Sequence, residues 1–379
     1  MAIMTLIDNY IEKLLTQSTP EKPLWNIEAI HQGKAPAWNY VDGCMMTSLL
    51  SLYRQTKDEK YYRFVESFID YYVLEDGTLR GYEQSTYNLD DICESRVLFD
   101  LYDRTKQEKY NKAIELTYRH ILRQPRTKEG SFWHKLIYPH QVWLDGLFMA
   151  QPFYTRYETL RNQQKNYDDI LNHFKVVRKH MYSEQDQLYY HGYDASKTAF
   201  WADKKTGLSK NFWLRATGWY VVSIVDVIDY LDISYPARKD FFFPLLKEAI
   251  DGLLTYQDKK SNLFYQVINQ PNEPKNYLES SGSALIAYAI LKGVRLGALD
   301  LSYQAIGQAI FNGIVDMYIS DNDGDLNMKG ICLVSGLGPD HNLRRDGSVA
   351  YYLSEPIVEN DAKGVGPFIM AYTEMKMIK

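Results

Sequence analysis

The sequence predicts an all-α fold, an (α/α)6 barrel in which six helix hairpins form a toroid with short β-hairpin loops at one mouth. A motif that runs from Leu52 to Tyr61 recurs at the same spacing from Leu101 to Tyr110, 49 residues later. In both copies an apolar helix rich in small residues precedes the motif, and an amphipathic helix follows it. Because repeated hairpins bury their apolar faces only against one another, the repeat by itself predicts a ring or a solenoid of paired helices.

The two layers of the ring are predicted from hydrophobic patterning. Helices that are rich in small and apolar residues should be buried on nearly all sides and form the inner layer. They begin near Tyr40, Asp90, Leu144, Leu214, Glu279 and Lys363. Helices with a single apolar stripe should form the outer layer. They cover residues 5–15, 62–72, 110–122, 167–181, 242–256 and 303–318.

Polar turns followed by short aromatic strands come after the outer helices. They lie at residues 75–79, 128–134, 184–191, 258–266 and 321–326. These loops should meet at the mouth where the inner helices begin. Free N–H groups and the positive end of the helix dipole face that mouth, which favours an anionic or polyhydroxylated ligand there.

Composition bounds the range of functions. The 379 residues can form one toroidal domain over residues 1–379 or two ordinary domains, and the barrel prediction favours one. The chain carries 32 Tyr, 15 Phe and 7 Trp, whose rings suit a carbohydrate groove as well as a core. A net charge of -5 without a basic stripe argues against a nucleic-acid surface.

Metal sites, cofactors and membrane segments are not predicted. Cys44, Cys93 and Cys332 are widely spaced, so neither a disulfide framework nor a zinc site is indicated, and a reducing compartment fits best. There is no Gly-rich phosphate loop, and residues 321–326 resemble half of a calcium loop but are interpreted as a turn. No charge-free run of about 18 apolar residues is present, so we expect a soluble cytoplasmic protein that binds neither membranes nor nucleic acid.

Asp145 is the first candidate for catalysis. It lies in the first turn of the third inner helix, beside Trp143, Leu144 and Phe148. Apolar surroundings are expected to raise the pKa of a carboxyl group, as a general acid requires near neutral pH. The alternative is that Asp145 caps the helix.

Asp90 and Asp91 occupy the same place in the preceding repeat. Two acids at neighbouring helix starts would face each other across the mouth, as in carboxylate-pair glycosidases. Helix capping is again the alternative, and for Asp91 it is the preferred interpretation.

Histidine ends two of the mouth loops. His134, followed by Lys135, and His191 both come after aromatic residues at equivalent positions. Their repetition places side chains that can carry protons at the rim, although a single loop histidine is usually a surface residue.

Trp213 and Arg215 open the fourth inner helix. An arginine in apolar surroundings has to meet either an internal carboxylate or an anionic group of a substrate. Tyr40 and Trp38, at the first inner helix, could form stacking platforms for a sugar or could only pack the hairpin.

The motifs that start at Gly130, Trp143, Phe212, Glu279 and Lys363 together resemble the unsaturated rhamnogalacturonyl hydrolases of glycoside hydrolase family 105. They are more distantly similar to the unsaturated glucuronyl hydrolases of family 88. The resemblance runs from about Asp8 to the C-terminus.

This resemblance implies an (α/α)6 barrel that removes the 4,5-unsaturated uronic acid left by polysaccharide lyases at the non-reducing end of oligosaccharides. It places the general acid/base on Asp145 and the second acid on Asp90. The implied substrate-binding positions, with the neighbouring aromatic residues, are Tyr40, Trp38, His134, Lys135, Trp143, His191, Trp213 and Arg215.

The implied reaction is a hydration of the C4=C5 bond in which one acid serves both steps, with either Arg215 or Lys135 binding the uronate carboxylate. Two other functions remain open at this point. One is a sugar 2-epimerase on the same barrel, and the other is a helical-repeat scaffold that binds proteins.

Overall fold

A computed structural model describes residues 2–322 and 325–378. In chain order the α-helices are α1 (Ala2–Thr16), α2 (Ile27–Gln32), α3 (Tyr40–Thr56), α4 (Glu59–Tyr72), α5 (Asp90–Cys93), α6 (Leu98–Thr105), α7 (Glu108–Arg123), α8 (Leu144–Arg161), α9 (Tyr167–Met181), α10 (Leu214–Tyr230), α11 (Phe243–Leu254), α12 (Ser280–Arg295), α13 (Ser302–Tyr318), α14 (Val349–Tyr352) and α15 (Ala362–Met377). The strands are β1 (Gln141–Trp143), β2 (Tyr182–Ser183), β3 (Leu188–Tyr189), β4 (Gly192–Asp194), β5 (Ile319–Asn322), β6 (Asp325–Met328), β7 (Ile331–Cys332) and β8 (Ile357–Val358).

The helices form two concentric layers, which confirms the predicted all-α (α/α)6 toroid. Each inner helix packs on the next, from α3 through the α5–α6 segment to α8, α10, α12 and α15, and α15 packs back on α3 to close the ring. The outer helices α4, α7, α9, α11 and α13 each pack on the inner helix that precedes them in the chain. Helix α1 docks on α15, where the Tyr372 hydroxyl donates to Asp8 Oδ1 at 2.8 Å.

Small residues let the inner helices approach one another closely. A Cβ atom at Gly366 of α15 would lie 2.9 Å from the Cys44 carbonyl oxygen of α3. A Cβ atom at Gly43 would lie 2.8 Å from the Cα atom of Glu94. Since both neighbours are backbone atoms, a larger side chain at either position would push two inner helices apart.

The second inner helix differs from the prediction of one continuous helix. Its first turn, α5, is followed by a 3-10 segment at Glu94–Val97 before the chain resumes as α6. This segment carries Glu94 and Arg96 into the barrel, where both are almost fully buried. Two buried ionisable side chains close to the contact of this segment with Gly43 accompany the break, which the hydrophobic pattern does not reveal.

The predicted hairpin loops lie at the end of the barrel where the inner helices begin. Strands β2 and β3 pair, as do β5 and β6, while the loops after α4 and α7 form single bridges. Strand β1 pairs with β4, and β7 with β8, in sheets that join more distant parts of the chain. Residues 323 and 324, in the turn compared with a calcium loop, lie outside the described residues.

The opposite end of the barrel contains a buried ion cluster around Asp226. Its carboxylate accepts hydrogen bonds from Lys292 Nζ at 2.8 Å and the Tyr288 hydroxyl at 2.9 Å, and Arg96 Nη1 lies 3.5 Å away. Lys292 also pairs with the partly exposed Asp229 at 2.8 Å. The charges of the inner helices therefore compensate one another far from the mouth.

Glu94 provides a test of how burial controls stability. Its Oε2 accepts from the backbone N–H of Asn39 at 3.0 Å, while Oε1 has no hydrogen-bond partner within the described chain. Burial, reinforced by repulsion from Asp42, raises the pKa of Glu94 well above 4.5. The native state therefore favours the protonated acid. The free energy of unfolding decreases as the pH rises from the pKa of Glu94 in the unfolded chain through its raised pKa in the native state.

We expect Glu94→Gln to remove this dependence. The free energy of unfolding of the wild type should fall more steeply between acidic and mildly alkaline pH than that of the variant. Urea denaturation at several pH values measures the difference, with Glu273→Gln at an exposed position as the control. Parallel curves for the wild type and Glu94→Gln would contradict the expectation.

In the described ranges, no helix is both long enough and apolar enough to cross a membrane.

Candidate active site

The site is a cavity of about 70 Å³ at the mouth, where the inner helices begin. Its wall combines acids, bases and aromatic rings from four inner helices and two loops. The lining residues are Tyr40, Asp90, His134, Lys135, Tyr138, Trp143, Asp145, Met149, Trp213, Arg215, Trp219, Val334, Ser335, Gly336 and Arg345. Eight of the ten residues predicted for the site thus lie within one wall.

Asp145 is positioned by the pairing of β1 with β4. In that pairing Trp143 stands opposite Gly192, and the Leu144 N–H donates to the His191 carbonyl oxygen at 3.1 Å. The chain then turns into α8, so that Asp145 Oδ2 lies 3.3 Å from His191 Nε2. Trp143 takes the N-cap position of α8, so the capping interpretation of Asp145 is not supported.

The predicted rise in the pKa of Asp145 is wrong. Burial does favour the neutral acid, but attraction to His191 and His134 outweighs burial and lowers the pKa of Asp145. The two nearest atoms of Asp145 and His191 are close without being aligned for a hydrogen bond, so the attraction is mainly Coulombic. The apolar neighbours in the sequence correctly indicated that Asp145 is buried. They did not indicate that the tertiary structure brings His191 beside it.

Tyr352 fixes the other side of the His191 ring. Its hydroxyl lies 2.7 Å from His191 Nδ1, and both side chains are fully buried. Burial raises the pKa of Tyr352 well above 10, so the hydroxyl keeps its proton. Tyr352, His191 and Asp145 thus form a continuous chain of polar groups that ends in the cavity.

Asp90 faces the cavity from the start of α5. Its Oδ2 accepts from Lys135 Nζ at 2.5 Å, and its Oδ1 lies 3.5 Å from His134 Nε2. Burial opposes the charge on Lys135, but Asp90 outweighs burial and raises the pKa of Lys135. These ion pairs occupy Asp90, whereas the Asp91 carboxylate accepts from the Asn88 side chain at 3.0 Å. Leu89 takes the N-cap position of α5 and no side chain caps that helix, so the capping interpretation is not supported for either acid.

His134 is a neutral member of the site. Burial lowers its pKa to about 4 despite the nearby Asp90. Its ring stacks on Trp143, with centroids 4.3 Å apart, and Tyr138 stacks on the same indole at 4.6 Å. Near neutral pH His134 can therefore orient a hydroxyl group but does not add a positive charge.

Arg215 is buried and already engaged by the protein. Its Nη1 donates to the Cys332 carbonyl oxygen, and its Nη2 donates to the Leu333 carbonyl oxygen at 3.3 Å. The guanidinium thus holds the loop after β7 against α10. Trp213 packs beside it, with its ring centroid 5.0 Å from the guanidinium carbon.

Trp38 does not belong to the wall of the cavity. It is 2% exposed, and its indole N–H donates to the Asp91 carbonyl oxygen at 2.8 Å. Its ring contacts Tyr72, so the stacking-platform prediction is wrong for Trp38 and the packing alternative is right. His191 is also outside the wall, and it reaches the cavity through its contact with Asp145.

Several wall residues were missed in the sequence. Met149 and Trp219 lie one helical turn after Asp145 and Arg215, so i+4 spacing from the predicted residues could have found them. Ser335, Gly336 and Arg345 belong to a loop without regular periodicity, and no signal in the sequence brings that loop to the mouth.

A larger groove of about 690 Å³ adjoins the cavity and shares Tyr40 and Asp90 with it. The segment between α1 and α3 builds much of this groove, with apolar side chains such as Pro23, Leu24 and Ile30. A sugar bound beside Asp145 could therefore continue into the groove.

Comparison with known proteins identifies the family. The model of Glycosyl Hydrolase Family 88 matches residues 10–379. The chain belongs to glycosyl hydrolase family 88. This match and the 40% identical family 105 structure described below together confirm the predicted resemblance. The protein is therefore a glycosidase, and the epimerase and scaffold alternatives lose their support.

Individual relatives agree with this assignment. The solved structure of a family 105 glycoside hydrolase from C. acetobutylicum ATCC 824 is 40% identical in sequence to this chain. Its alignment has a TM-score of 0.88 and covers 97% of this chain and 99% of that one. Protein Atu3128 of Agrobacterium fabrum is 34% identical over 61% of this chain and 99% of its own length. The unsaturated rhamnogalacturonyl hydrolase YesR of Bacillus subtilis is 24% identical over 69% of this chain and 72% of its own length.

Within the described part of the chain, no group of three or more His, Cys, Asp or Glu side chains is arranged to hold a metal ion.

Proposed function

We propose that this family 88 protein removes a 4,5-unsaturated uronic acid, of the unsaturated galacturonyl type, from the non-reducing end of oligosaccharides by hydrating its C4=C5 bond. The observation that carries the proposal is the buried Asp145 carboxylate beside His191, in a cavity that the ion-paired Asp90 also lines. The similarity to the rhamnogalacturonyl hydrolase YesR favours a galacturonyl substrate.

The first step is protonation of C4. Because its pKa is lowered, Asp145 is ionised in the free protein, and His191, 3.3 Å away, is the nearest group that can supply a proton. We assign the proton to the Asp145–His191 pair, with Asp145 passing it to C4 while positive charge develops at C5 and the ring oxygen.

The second step is the attack of water on C5. The Asp145 carboxylate that remains after proton transfer takes a proton from the water as the C5–O bond forms. The hemiketal then opens and releases the aglycone, and the pair has regained its proton. The lowered pKa suits this base step, and Asp90 with Lys135 and His134 would orient the substrate hydroxyls.

The proposal is tested with oligosaccharides produced by lyases. Loss of the ultraviolet absorbance of the double bond should be rapid with fragments of rhamnogalacturonan and slower with fragments of glycosaminoglycans. If the absorbance is stable with both, the proposed function is wrong. Rapid loss only with glycosaminoglycan fragments would keep the reaction and overturn the galacturonyl preference.

Tyr352→Phe should change the pH dependence of this reaction. In the protonated form of the proposed pair, His191 Nδ1–H donates to the Tyr352 oxygen at 2.7 Å, and the variant removes this acceptor, so the pair should lose its proton at a lower pH. The basic limb of kcat/KM against pH should move down by roughly one unit. Tyr110→Phe, which removes a hydroxyl bonded to Asp70 in the outer layer, is the control. Superimposable profiles for Tyr352→Phe and the wild type would refute the proton pair.

A further inference from the structure

Three cations line the mouth cavity, and two of them are engaged by the protein. Lys135 is paired with Asp90 at 2.5 Å. Arg215 donates through both terminal nitrogens to the carbonyl oxygens of Cys332 and Leu333. The charge of Lys135 is therefore already balanced, and both terminal nitrogens of Arg215 are occupied, although Arg215 Nε has no hydrogen-bond partner among the described residues.

Arg345 is different. Among the described residues no carboxylate lies within ion-pair distance of it, and its Nε is buried without a hydrogen-bond partner. A guanidinium presents five N–H donors in a planar fork, and leaving them unused in a half-buried position is unfavourable. Of the three cations in the wall, Arg345 is therefore the one whose terminal nitrogens make no hydrogen bond or ion pair with the described residues.

The backbone around Gly336 holds Arg345 against the aromatic wall. A Cβ atom at Gly336 would lie 3.3 Å from Arg345 Nη1 and 3.4 Å from the indole of Trp143. The Gly338 N–H donates to the Arg345 carbonyl oxygen at 2.8 Å, and the Gly336 N–H donates to the Tyr351 hydroxyl at 2.9 Å. Arg345 is thus placed beside Trp143, the residue that leads directly into Asp145.

We infer that Arg345 binds the carboxylate of the unsaturated uronic acid and thereby selects substrates that carry a charge at that position. Neither Arg215 nor Lys135, the two residues suggested by the sequence, has that role. A planar carboxylate matches the guanidinium fork, and every substrate of the proposed class carries one on the ring that Asp145 must reach. The inference rests on the proposed function. It adds to the proposed site a residue that determines substrate specificity and that lies in a loop outside the helical repeat.

The test compares Arg345→Gln with Arg344→Gln, which removes the same charge one residue earlier. Arg344 pairs with Glu355 at 2.9 Å, and its side chain is 54% exposed, outside the cavity. We expect Arg345→Gln to lower kcat/KM by roughly ten- to a hundredfold and Arg344→Gln to leave it unchanged. Far-ultraviolet circular dichroism and the thermal midpoint verify that both variants are folded.

The substrate supplies the second half of the test. Methyl esterification of the unsaturated uronate should slow the wild type by a similar factor and should slow Arg345→Gln little further, because the interaction is already lost. Equal slowing of both proteins by the ester would overturn the inference. A defect of Arg345→Gln seen only with an unsaturated digalacturonide, and not with unsaturated galacturonyl-rhamnose, would assign Arg345 to the neighbouring sugar and also overturn it.

The proposed function is judged by a different result. A wild-type protein that consumes none of these substrates overturns the proposed function and the inference together. An active wild type whose Arg345→Gln variant has unchanged kcat/KM overturns the inference alone.

Discussion

Asp145→Asn is expected to lower kcat by roughly a hundred- to ten-thousandfold, the range for loss of a general acid/base. The amide can neither pass a proton to C4 nor accept one from the attacking water. Its shape matches that of the carboxylate, whose Oδ2 has no hydrogen-bond partner among the described residues, so the fold should survive. The measurement is the initial rate of loss of the double-bond absorbance at saturating substrate.

The control for this variant is Asp168→Asn. Asp168 is an exposed residue of the outer helix α9 and accepts from the Tyr235 hydroxyl at 2.8 Å, so the substitution should leave turnover intact. If Asp145→Asn kept more than a small fraction of wild-type kcat, the acid/base role would have to be moved to another residue.

Asp226→Ala is expected to reduce the free energy of unfolding by about 3–5 kcal/mol, as removal of one partner from a buried ion pair usually does. The side chains of Arg96 and Lys292 are only 2% and 6% exposed, and without Asp226 their charges lose their main buried partner. Urea denaturation followed by circular dichroism measures the change. Since Asp226 lies at the end of the barrel away from the mouth, kcat of the folded variant should be close to that of the wild type.

Asp229→Ala is the matched control because it removes the other carboxylate that pairs with Lys292. The side chain of Asp229 is 32% exposed, so water replaces the lost contact and the cost should be at most about 1 kcal/mol. Equal costs for the two variants would show that burial of the Asp226 cluster does not govern stability.

The repeat and its periodicity were sufficient to predict the barrel. Each apolar helix can be buried only in an inner layer, and each amphipathic stripe needs one neighbour, so local patterning and global topology agree. The break at Glu94–Val97 was not predictable, because it depends on how closely α3 approaches the second inner helix at Gly43.

The site could be predicted where it follows the repeat. Asp90 and Asp145 open inner helices, and every inner helix begins at the same mouth, so their positions in the chain placed them together. Trp38 also stands before an inner helix, but its indole turns into the packing against Tyr72. A repeat sets the position of a backbone, whereas the direction of a side chain depends on its neighbours.

The sequence by itself determined the helical toroid, the mouth as the place for chemistry and the two acids, because these follow from periodicity and from the order of elements. Only the tertiary structure decided the ionisation of Asp145, the engagement of Arg215 and the placement of Arg345. Each of these depends on a partner far away in the chain: His191 for Asp145, the Cys332–Leu333 backbone for Arg215, and Trp143 for Arg345. Electrostatic interactions are strong only between groups that lie a few ångströms apart in space. The number of residues between two groups in the sequence does not predict that distance.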